Sequence, residues 1–449
     1  NGKTPMGKVK QTPLIWNKEA ETMPRDQLEK LQLQRLQQTV ELVYNQVPFY
    51  KQSFDERGVK PCDIKSLQDI RKLPFTTKQN LRDNYPFGML TVPVEKLVRL
   101  HASSGTTGKP TIGPYTAKDL DIWAELMARF YTAAGATWKD VIHNAFGYGL
   151  FTGGLGFHLG AERIGATVVP ISAGLSKRQI MLMEDFGATV LNCTPSYALV
   201  LAESAIEMGV NISQRMQVRI GFFGAEPWTE EMRQEIEAKL NLESFDNYGL
   251  TEMGGPGVSV ECPYHDGLHI AEDHFLAELV DPDSGEPVGE GKVGELVLTA
   301  LTREAMPLLR YRSRDRVTLN REKCACGRTM ARMSKVKGRT DDMLIIRGVN
   351  VFPSSIESVL LSADDVEPHY LLIIDRPKDK LDSLEVWVEA SDDLWKRGEY
   401  WVKQTEQRIY NDLNETLGLA AKVKVNEPHS IQRSEGKAKR IIDRRDLGG

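Results

Sequence analysis

Residues 97–116 read LVRLHASSGTTGKPTIGPYT. The centre of this stretch, Ser103-Ser104-Gly105-Thr106-Thr107-Gly108-Lys109, is small, polar and flexible. The apolar alternation of Val98, Leu100 and Ala102 predicts a strand leading into it. Glycines let backbone amides turn toward a bound anion, hydroxyls add donors, and a lysine adds a point charge. That chemistry suits a polyphosphate, although a lone loop of this composition is more often a plain turn. The general phosphate-loop pattern G-x-x-x-x-G-K-[ST] fails at two positions. Ser103 replaces its first glycine, and Pro110 follows Lys109 where a magnesium-binding hydroxyl belongs. Pro110 also argues against a helix running straight out of the loop. A Walker-type kinase or GTPase loop is therefore excluded.

The 449-residue chain is too long for one small core and predicts two or more domains. Its 41% hydrophobic and 27% charged residues are ordinary for a soluble globular protein. A net charge of -5 and a pI near 6.0 give no general attraction to nucleic acid or anionic membrane. No apolar run approaches a membrane span, and no signal-peptide core opens the chain. Asn1 to Pro5 contains no methionine, and Met6 is the expected natural start. Five cysteines are sparse and odd in number, which points to a reducing, cytoplasmic setting rather than a disulfide framework.

Outward from the loop, residues 24–47 carry Leu28, Leu31, Leu36, Val40 and Val43 at helical spacing, with Pro24 at the start. Thr76 and Gln79 form a candidate capping box. Ala117 to Ala134 reads as a helix that Gly135 ends. Residues 142–170 set Phe146, Tyr148, Phe151 and Phe157 among seven glycines. Such a segment leaves room beside flat rings and suits a planar apolar ligand, or it is an ordinary packed core. His143 and His158 read as structural. Ala166–Ser172, Ala188–Thr194 and Gln217–Phe223 are short apolar runs separated by helical stretches, which predicts βαβ units and a buried parallel sheet. Ligands of such sheets bind beyond the strand C-termini. Two motifs lie at such ends: Gly221-Phe-Phe-Gly224-Ala225-Glu226-Pro227, and Asp246-Asn247-Tyr248-Gly-Leu-Thr251-Glu252.

Cys262-Pro-Tyr-His265 and Cys324-Ala-Cys326 together offer three thiolates and an imidazole, the donor set of a closed structural zinc site. Both flank a β-rich stretch, residues 268–319, that could bring them together. His269, Glu272, Asp273 and His274 are a weaker competing cluster on a partly alternating, strand-like run from Leu268 to Leu279. Asp281 to Gly285 and Gly289 to Gly294 mark turns. The last hundred residues read αββαβ: helix Ser354–Leu361, strands Tyr370–Ile374 and Leu384–Glu389, helix Tyr400–Leu417 and strand Lys422–Val425. This order suits a small α+β domain.

The core S-G-T-T-G-x-P resembles the phosphate loop of the acyl-adenylate-forming superfamily. The string LPFTTKQNLRDNYPFG, residues 73–88, resembles the phenylacetate–CoA ligase family within it. Further motifs follow in order from about Leu73 to Arg445: Tyr311-Arg-Ser-Arg-Asp315, Gly338-Arg339-Thr-Asp341 and Gly436-Lys437-Ala-Lys-Arg440. The resemblance implies an α/β fold. Its large N-terminal domain, residues 1–338, has parallel sheets flanked by helices plus a β-rich subdomain. A small mobile C-terminal α+β domain spans residues 342–449, with a hinge near Asp341.

The implied activity is ATP-dependent joining of an aryl acid to coenzyme A in aromatic acid catabolism, through an acyl-AMP. Ser103, Ser104, Gly105, Thr106, Thr107, Gly108 and Lys109 would hold the β- and γ-phosphates. Gly224, Ala225, Glu226, Pro227, Asp246, Asn247 and Tyr248 would flank the adenine. Thr251 would reach the α-phosphate, Glu252 would hold magnesium, Asp315 would accept from the ribose hydroxyls, and Arg339 would contact ribose or phosphate. Tyr148 and Phe151 would wall the acid pocket, Gly348 would admit the pantetheine arm, and Lys437 would be the catalytic lysine. Expected partners are the acid, ATP and coenzyme A, with a homodimer left open.

The chain departs from the superfamily at Arg314, which takes the place of a glycine, at Gly113-Pro114 before Tyr115, and in a shorter N-terminal region. Phenylacetate has competitors in benzoate, indoleacetate and hydroxyphenylacetate. Adenylation without coenzyme A is the alternative of a different class, against which Lys437 and Gly348 argue.

Overall fold

The three apolar runs of the βαβ-like stretch fold as parallel strands Thr167–Val169, Val190–Cys193 and Ile220–Gly224, and Val141–Asn144 and Glu243–Leu250 join them as further parallel strands. Every residue of Val190–Cys193 and Ile220–Gly224 is buried, which is why these segments read as continuous runs and not as alternation. Helices Thr152–Arg163, Ser176–Asp185, Pro195–Glu207 and Glu230–Leu240 connect successive strands. This is a computed structural model, and it describes residues 14–103, 110–340, 344–346, 349–351, 353–375, 382–417, 419–433 and 440–444.

Among the described residues the main sheet has nine strands. Strand Glu243–Leu250 is parallel to Ile220–Gly224 on one side and antiparallel to Gly255–Glu261 on the other. The sheet then continues antiparallel through Leu268–Ile270, Arg332–Met333 and Leu319–Asn320. A separate antiparallel sheet contains Phe275–Val280, Gly294–Ala300 and Tyr311–Val317. Helix Arg25–Gln46 packs Leu36, Val40 and Val43 into the same core as Leu296, Leu298 and Leu309. Strand Tyr311–Val317 buries every second residue, so Asp315 lies on the inward register with Tyr311, Ser313 and Val317.

Residues 353–444 build a second unit around its own core, which includes Leu372, Ile374, Val386, Val388, Ile409 and Leu413. Helix Pro353–Leu361, strands Val366–Asp375 and Ser383–Ala390, helix Glu399–Leu417 and strand Lys422–Asn426 follow the expected order. Strand Ile441–Asp443 was not anticipated; it pairs parallel to Val366–Asp375 and completes a four-stranded sheet.

One local expectation holds with an unforeseen facing, and two need correction. Strand Arg99–Ala102 forms, but Val98 is 59% and Leu100 45% exposed, while His101 and Ala102 face inward. The capping box is Thr77 with Asn80, not Thr76 with Gln79: Asn80 Oδ1 accepts from the Thr77 amide at 2.8 Å, and Thr77 Oγ1 from the Asn80 amide at 3.3 Å. Thr76 is buried, and its hydroxyl donates to the Leu309 carbonyl at 2.6 Å. The run from Leu268 to Leu279 breaks into two strands, with Glu272, Asp273 and His274 in the turn between them. Glu272 pairs with Arg25, Asp273 with Arg129, and His274 bonds Thr302.

Candidate active site

Strands Arg99–Ala102 and Ile112–Tyr115 form an antiparallel hairpin that carries the Gly/Ser/Thr-rich loop. Ser103 closes its base: the Ser103 amide donates to the Thr111 carbonyl at 2.8 Å, and Ser103 Oγ accepts from the Thr111 amide at 2.9 Å. Ser104 to Lys109 lie outside the described residues. The unexpected Gly113 has a steric explanation. A Cβ there would come within 3.1 Å of Thr251 Cγ2 and 3.2 Å of the Thr251 carbonyl oxygen. Arg303 donates to the Pro114 carbonyl, and its guanidinium sits 4.4 Å from the centre of the Tyr115 ring. The hairpin is thereby seated against the turn Thr251–Met253. Glu252 in that turn is buried. Burial first, and then the Glu252 charge, hold the Tyr311 hydroxyl well above its ordinary range, so it stays a proton donor.

A cavity of about 160 Å³ opens at the end of strand Glu243–Leu250, where the sheet changes from parallel to antiparallel pairing. Ala225, Glu226 and Pro227 line it just beyond strand Ile220–Gly224, whereas Asp246, Asn247 and Tyr248 line it from within strand Glu243–Leu250 and not from beyond a strand end as the sequence suggests. Asp315 reaches it from the second sheet, and Arg339 from an isolated bridge that pairs it with Asp315. Gly224 permits the close approach of these two strands where it pairs with Asn247, because a Cβ there would fall 2.6 Å from the Asn247 carbonyl oxygen. Asn247 Nδ2 donates to the Phe223 carbonyl at 2.7 Å, which adds a side-chain tie between the two strands.

Tyr248 donates to Asp315 Oδ2 at 2.5 Å, and Arg339 Nη1 to Asp315 Oδ1 at 3.1 Å. Both carboxylate oxygens are thus oriented by a donor. Arg339 is set opposite Asp315 because residues 337–340 run antiparallel to strand Tyr311–Val317. Arg314, at the superfamily's glycine position, adopts a left-handed backbone with φ 70°, and its amide donates to Glu295 at 3.2 Å. Burial, and then the neighbouring charge of Glu261, push Asp246 up from the ordinary carboxylate range. Glu261 is itself held by buried Arg233 through two hydrogen bonds of 2.6 and 2.8 Å.

In the glycine-rich segment, Tyr148 Oη accepts from Asn144 Nδ2 at 2.7 Å and contacts His158 Nδ1 at 3.1 Å. Burial pushes the Tyr148 hydroxyl up to about 12. Phe151 is 51% exposed at the start of helix Thr152–Arg163. The carbonyl of Leu150 accepts from the Ala102 amide at 2.9 Å, so this glycine-rich segment adjoins the phosphate-loop hairpin. His143 is buried, which lowers it to about 4, and its Nε2 pairs with Gln179 at 2.9 Å.

The metal-ligand expectation is corrected at one residue. Cys262, Cys324 and Cys326 converge with His269, not His265; the four donor atoms lie within 4.8 Å of one another, and all four residues are buried. His269 Nε2 is 3.4 Å from Cys326 Sγ. Strand pairing sets His269 opposite Arg332, which brings it beside the loop that bears Cys324 and Cys326. His265 turns away to Glu243 and Glu261, each at 3.4 Å, and stacks on Phe245. Arg328, wholly buried, donates to Glu21 at 2.6 Å and to Cys326 Sγ at 3.7 Å, and so binds the cluster to the N-terminal segment.

Asp341, Gly348 and Lys437 lie outside the described residues. Sequence reasoning missed Trp228 and Lys335, which also line the cavity, with Lys335 Nζ 4.4 Å from the centre of the Trp228 ring. Their only signal was adjacency: Trp228 follows the G-A-E-P string, and Lys335 precedes Gly338-Arg339.

The profile of the AMP-binding enzyme family matches residues 24–300, and that of the AMP-binding enzyme C-terminal domain matches residues 348–445. A phenylacetate-coenzyme A ligase of Thermus thermophilus is 48% identical over 446 residues, which cover 96% of this chain and 100% of that protein. The phenylacetate-coenzyme A ligase of Escherichia coli is 48% identical over 96% of this chain and 98% of its own length. Among solved structures, a 2-hydroxyisobutyryl-CoA ligase in the postadenylation state with 2-HIB-AMP superposes with a TM-score of 0.91 at 29% identity, covering 99% of this chain and 94% of that one. The same ligase in the thioesterification state, with 2-HIB-AMP and CoA, superposes at 0.72 and 30% identity, covering 98% of this chain and 94% of that one.

Proposed function

The chain belongs to the AMP-binding enzyme family, in its phenylacetate-coenzyme A ligase branch, and on that premise we propose that it converts phenylacetate, ATP and coenzyme A to phenylacetyl-CoA, AMP and pyrophosphate. The observation that carries this reading is the meeting of Ala225–Pro227, Asp246–Tyr248, Asp315 and Arg339 around one cavity. These residues come from four separate segments and supply the flat ring, carboxylate and guanidinium that a nucleoside phosphate requires.

In the first half-reaction a substrate carboxylate oxygen attacks the α-phosphorus of ATP, and pyrophosphate leaves with the bonding electron pair. Tyr248 stacks on the base, Asp315 accepts from the ribose hydroxyls, Arg339 contacts ribose or phosphate, and Thr251 meets the α-phosphate. Residues 103–109 grip the departing phosphates. Lys437 stabilises the charge shared between carboxylate and phosphate. Buried Glu252 fits magnesium by its hard carboxylate oxygens, and the ion would screen the triphosphate charge. In the second half-reaction the coenzyme A thiolate attacks the acyl carbon, and AMP leaves. The division at residues 338 and 342, with Asp341 as pivot and Gly348 beside the pantetheine arm, lets one site serve both steps by rotation of the small unit. Tyr148 and Phe151 are the proposed walls for the phenyl ring.

Cys262, His269, Cys324 and Cys326 fit a structural zinc by donor type and convergence. Four protein ligands leave no position for substrate, so the ion would act as a fastening. The free thiols accord with a cytoplasmic enzyme.

Phenylacetate-dependent exchange of pyrophosphate into ATP, with thioester formed only on addition of coenzyme A, is the expected result. Exchange that prefers benzoate, indoleacetate or hydroxyphenylacetate in the same panel would replace the acid. Exchange with no thioester at any coenzyme A concentration would overturn the ligase reading.

A further inference from the structure

One helix of the large unit, Pro195–Glu207, receives both described residues that flank the Lys437 segment in the chain. Glu203 accepts from Arg433 Nε at 3.0 Å and pairs with His369 Nε2 at 2.5 Å. Ser196 Oγ accepts from Arg440 Nη2 at 3.0 Å. The small unit prepares both arginines for this. Glu389, fully buried, accepts from Arg433 Nη1 at 2.7 Å and Nη2 at 2.9 Å. Arg440 pairs with buried Glu357 and donates to Tyr370 Oη at 3.1 Å. Each guanidinium is thus fixed by its own unit and presents its remaining donors to the same helix.

Ser196 does a second thing. Its amide donates to Glu226 Oε1 at 2.8 Å, and its hydroxyl donates to the same oxygen. Glu226 lines the nucleotide cavity. A chain of hydrogen bonds therefore runs from the cavity wall through Ser196 to Arg440. Burial would raise Glu203, but the His369 hydrogen bond and the Arg433 charge more than offset it and lower it to about 2. Glu203 is consequently an anion throughout the neutral range, with two partners to hold.

We propose that Glu203 and Ser196 are positioning residues for the adenylation half-reaction: they dock Arg433 and Arg440, and so hold the small unit in the orientation it has here. The inference rests on the ligase reading above and adds to it the residues that set the first orientation. The arrangement agrees with the overall match to a relative in its postadenylation state and the poorer match to the same relative in its thioesterification state. Rotation between the half-reactions must break both contacts, so their loss falls on one half-reaction and not on the other.

The test uses the full chain and measures the halves separately: phenylacetate-dependent pyrophosphate exchange, and thioester formation from supplied phenylacetyl-AMP and coenzyme A. Glu203→Gln is expected to lower exchange at least about tenfold and leave thioester formation from the adenylate within about twofold or raise it. Ser196→Ala is expected to act in the same direction. Equal losses in both halves, or undiminished exchange, would overturn the proposal. If the unaltered chain itself shows no phenylacetate-dependent exchange, the ligase reading fails and a turnover-free measurement still decides the docking. Spin labels at Ile206→Cys and Tyr400→Cys, both exposed, in a Cys62→Ser background report the distance between units. The Glu203→Gln/Ser196→Ala pair is expected to broaden that distribution, and an unchanged distribution sinks the idea.

Discussion

Tyr248 donates its phenolic proton to Asp315 across 2.5 Å. Burial, and then the Asp315 charge, hold the hydroxyl far above its ordinary range, so it remains a donor at every working pH. Removing it leaves one oxygen of a buried carboxylate without its orienting partner. Tyr248→Phe is expected to raise the KM for ATP and lower kcat/KM about tenfold, the scale of a hydrogen bond to a charged group. Titrating ATP in the exchange assay checks this, and an unchanged ATP dependence would remove Tyr248–Asp315 from the nucleotide site.

Gly113→Val tests the seat of the hairpin Arg99–Tyr115, proposed to carry the phosphate grip. The new side chain meets Thr251 Cγ2 and its backbone carbonyl, and the carbonyl cannot rotate away. Overpacking there should cost about 1–3 kcal/mol of stability. The exchange rate should fall further than that of a control hairpin variant matched for melting temperature. Calorimetry with exchange kinetics separates the two effects.

The cysteine cluster makes an analytical prediction. Metal analysis of the purified chain should find about one zinc per molecule, in keeping with one set of four ligands. His269→Gln and Cys324→Ser should each lower the zinc content, and His265→Gln should retain it. Chelation should lower the melting temperature, because binding at a structural site is coupled to folding. A zinc content that followed His265 would reverse the assignment.

His265 has its own pH signature. Burial alone would lower it, but hydrogen bonds to Glu243 and Glu261 more than offset that and raise it from 6.5 to about 9. A raised pKa stabilises the fold fully below the unfolded value and stops doing so as pH rises through the folded value. His265→Gln should therefore be less stable than the unaltered chain at pH 6, by denaturant titration. The gap should narrow between about pH 6.5 and 9 and close above that window. A gap independent of pH would show that packing on Phe245, not charge, sets the contribution.

Motif order and hydrophobic patterning made much of this molecule legible in advance. Strands Val190–Cys193 and Ile220–Gly224 announced themselves because fully buried strands are continuously apolar, and the second unit because its αββαβ order survives in local periodicity. What escaped depends on register between distant strands. Cys262 and His265 have ligand spacing, yet His269 is the residue that strand pairing with Arg332 carries to the cysteines. Val98 and Leu100 alternate as a strand should, but nothing local says which face the hairpin turns inward. Glu203 gave no signal, since its partners His369 and Arg433 are 166 and 230 residues away.

The contact between Arg328 and Glu21 has a consequence for the growing chain. Glu21 and Arg328 are 307 residues apart, and Arg25 is 247 residues from its partner Glu272. Synthesis at about 5–20 residues per second separates the Arg25 pair by roughly 12–50 s. Through that interval helix Arg25–Gln46 has emerged with Leu36, Val40 and Val43 and without the strands that cover them. Until then it has Tyr50, Phe54, Ile64, Ile70 and Leu73, which follow it closely in the chain and share its core, but not Leu296, Leu298 and Leu309, so the packing of helix Arg25–Gln46 is completed late in synthesis.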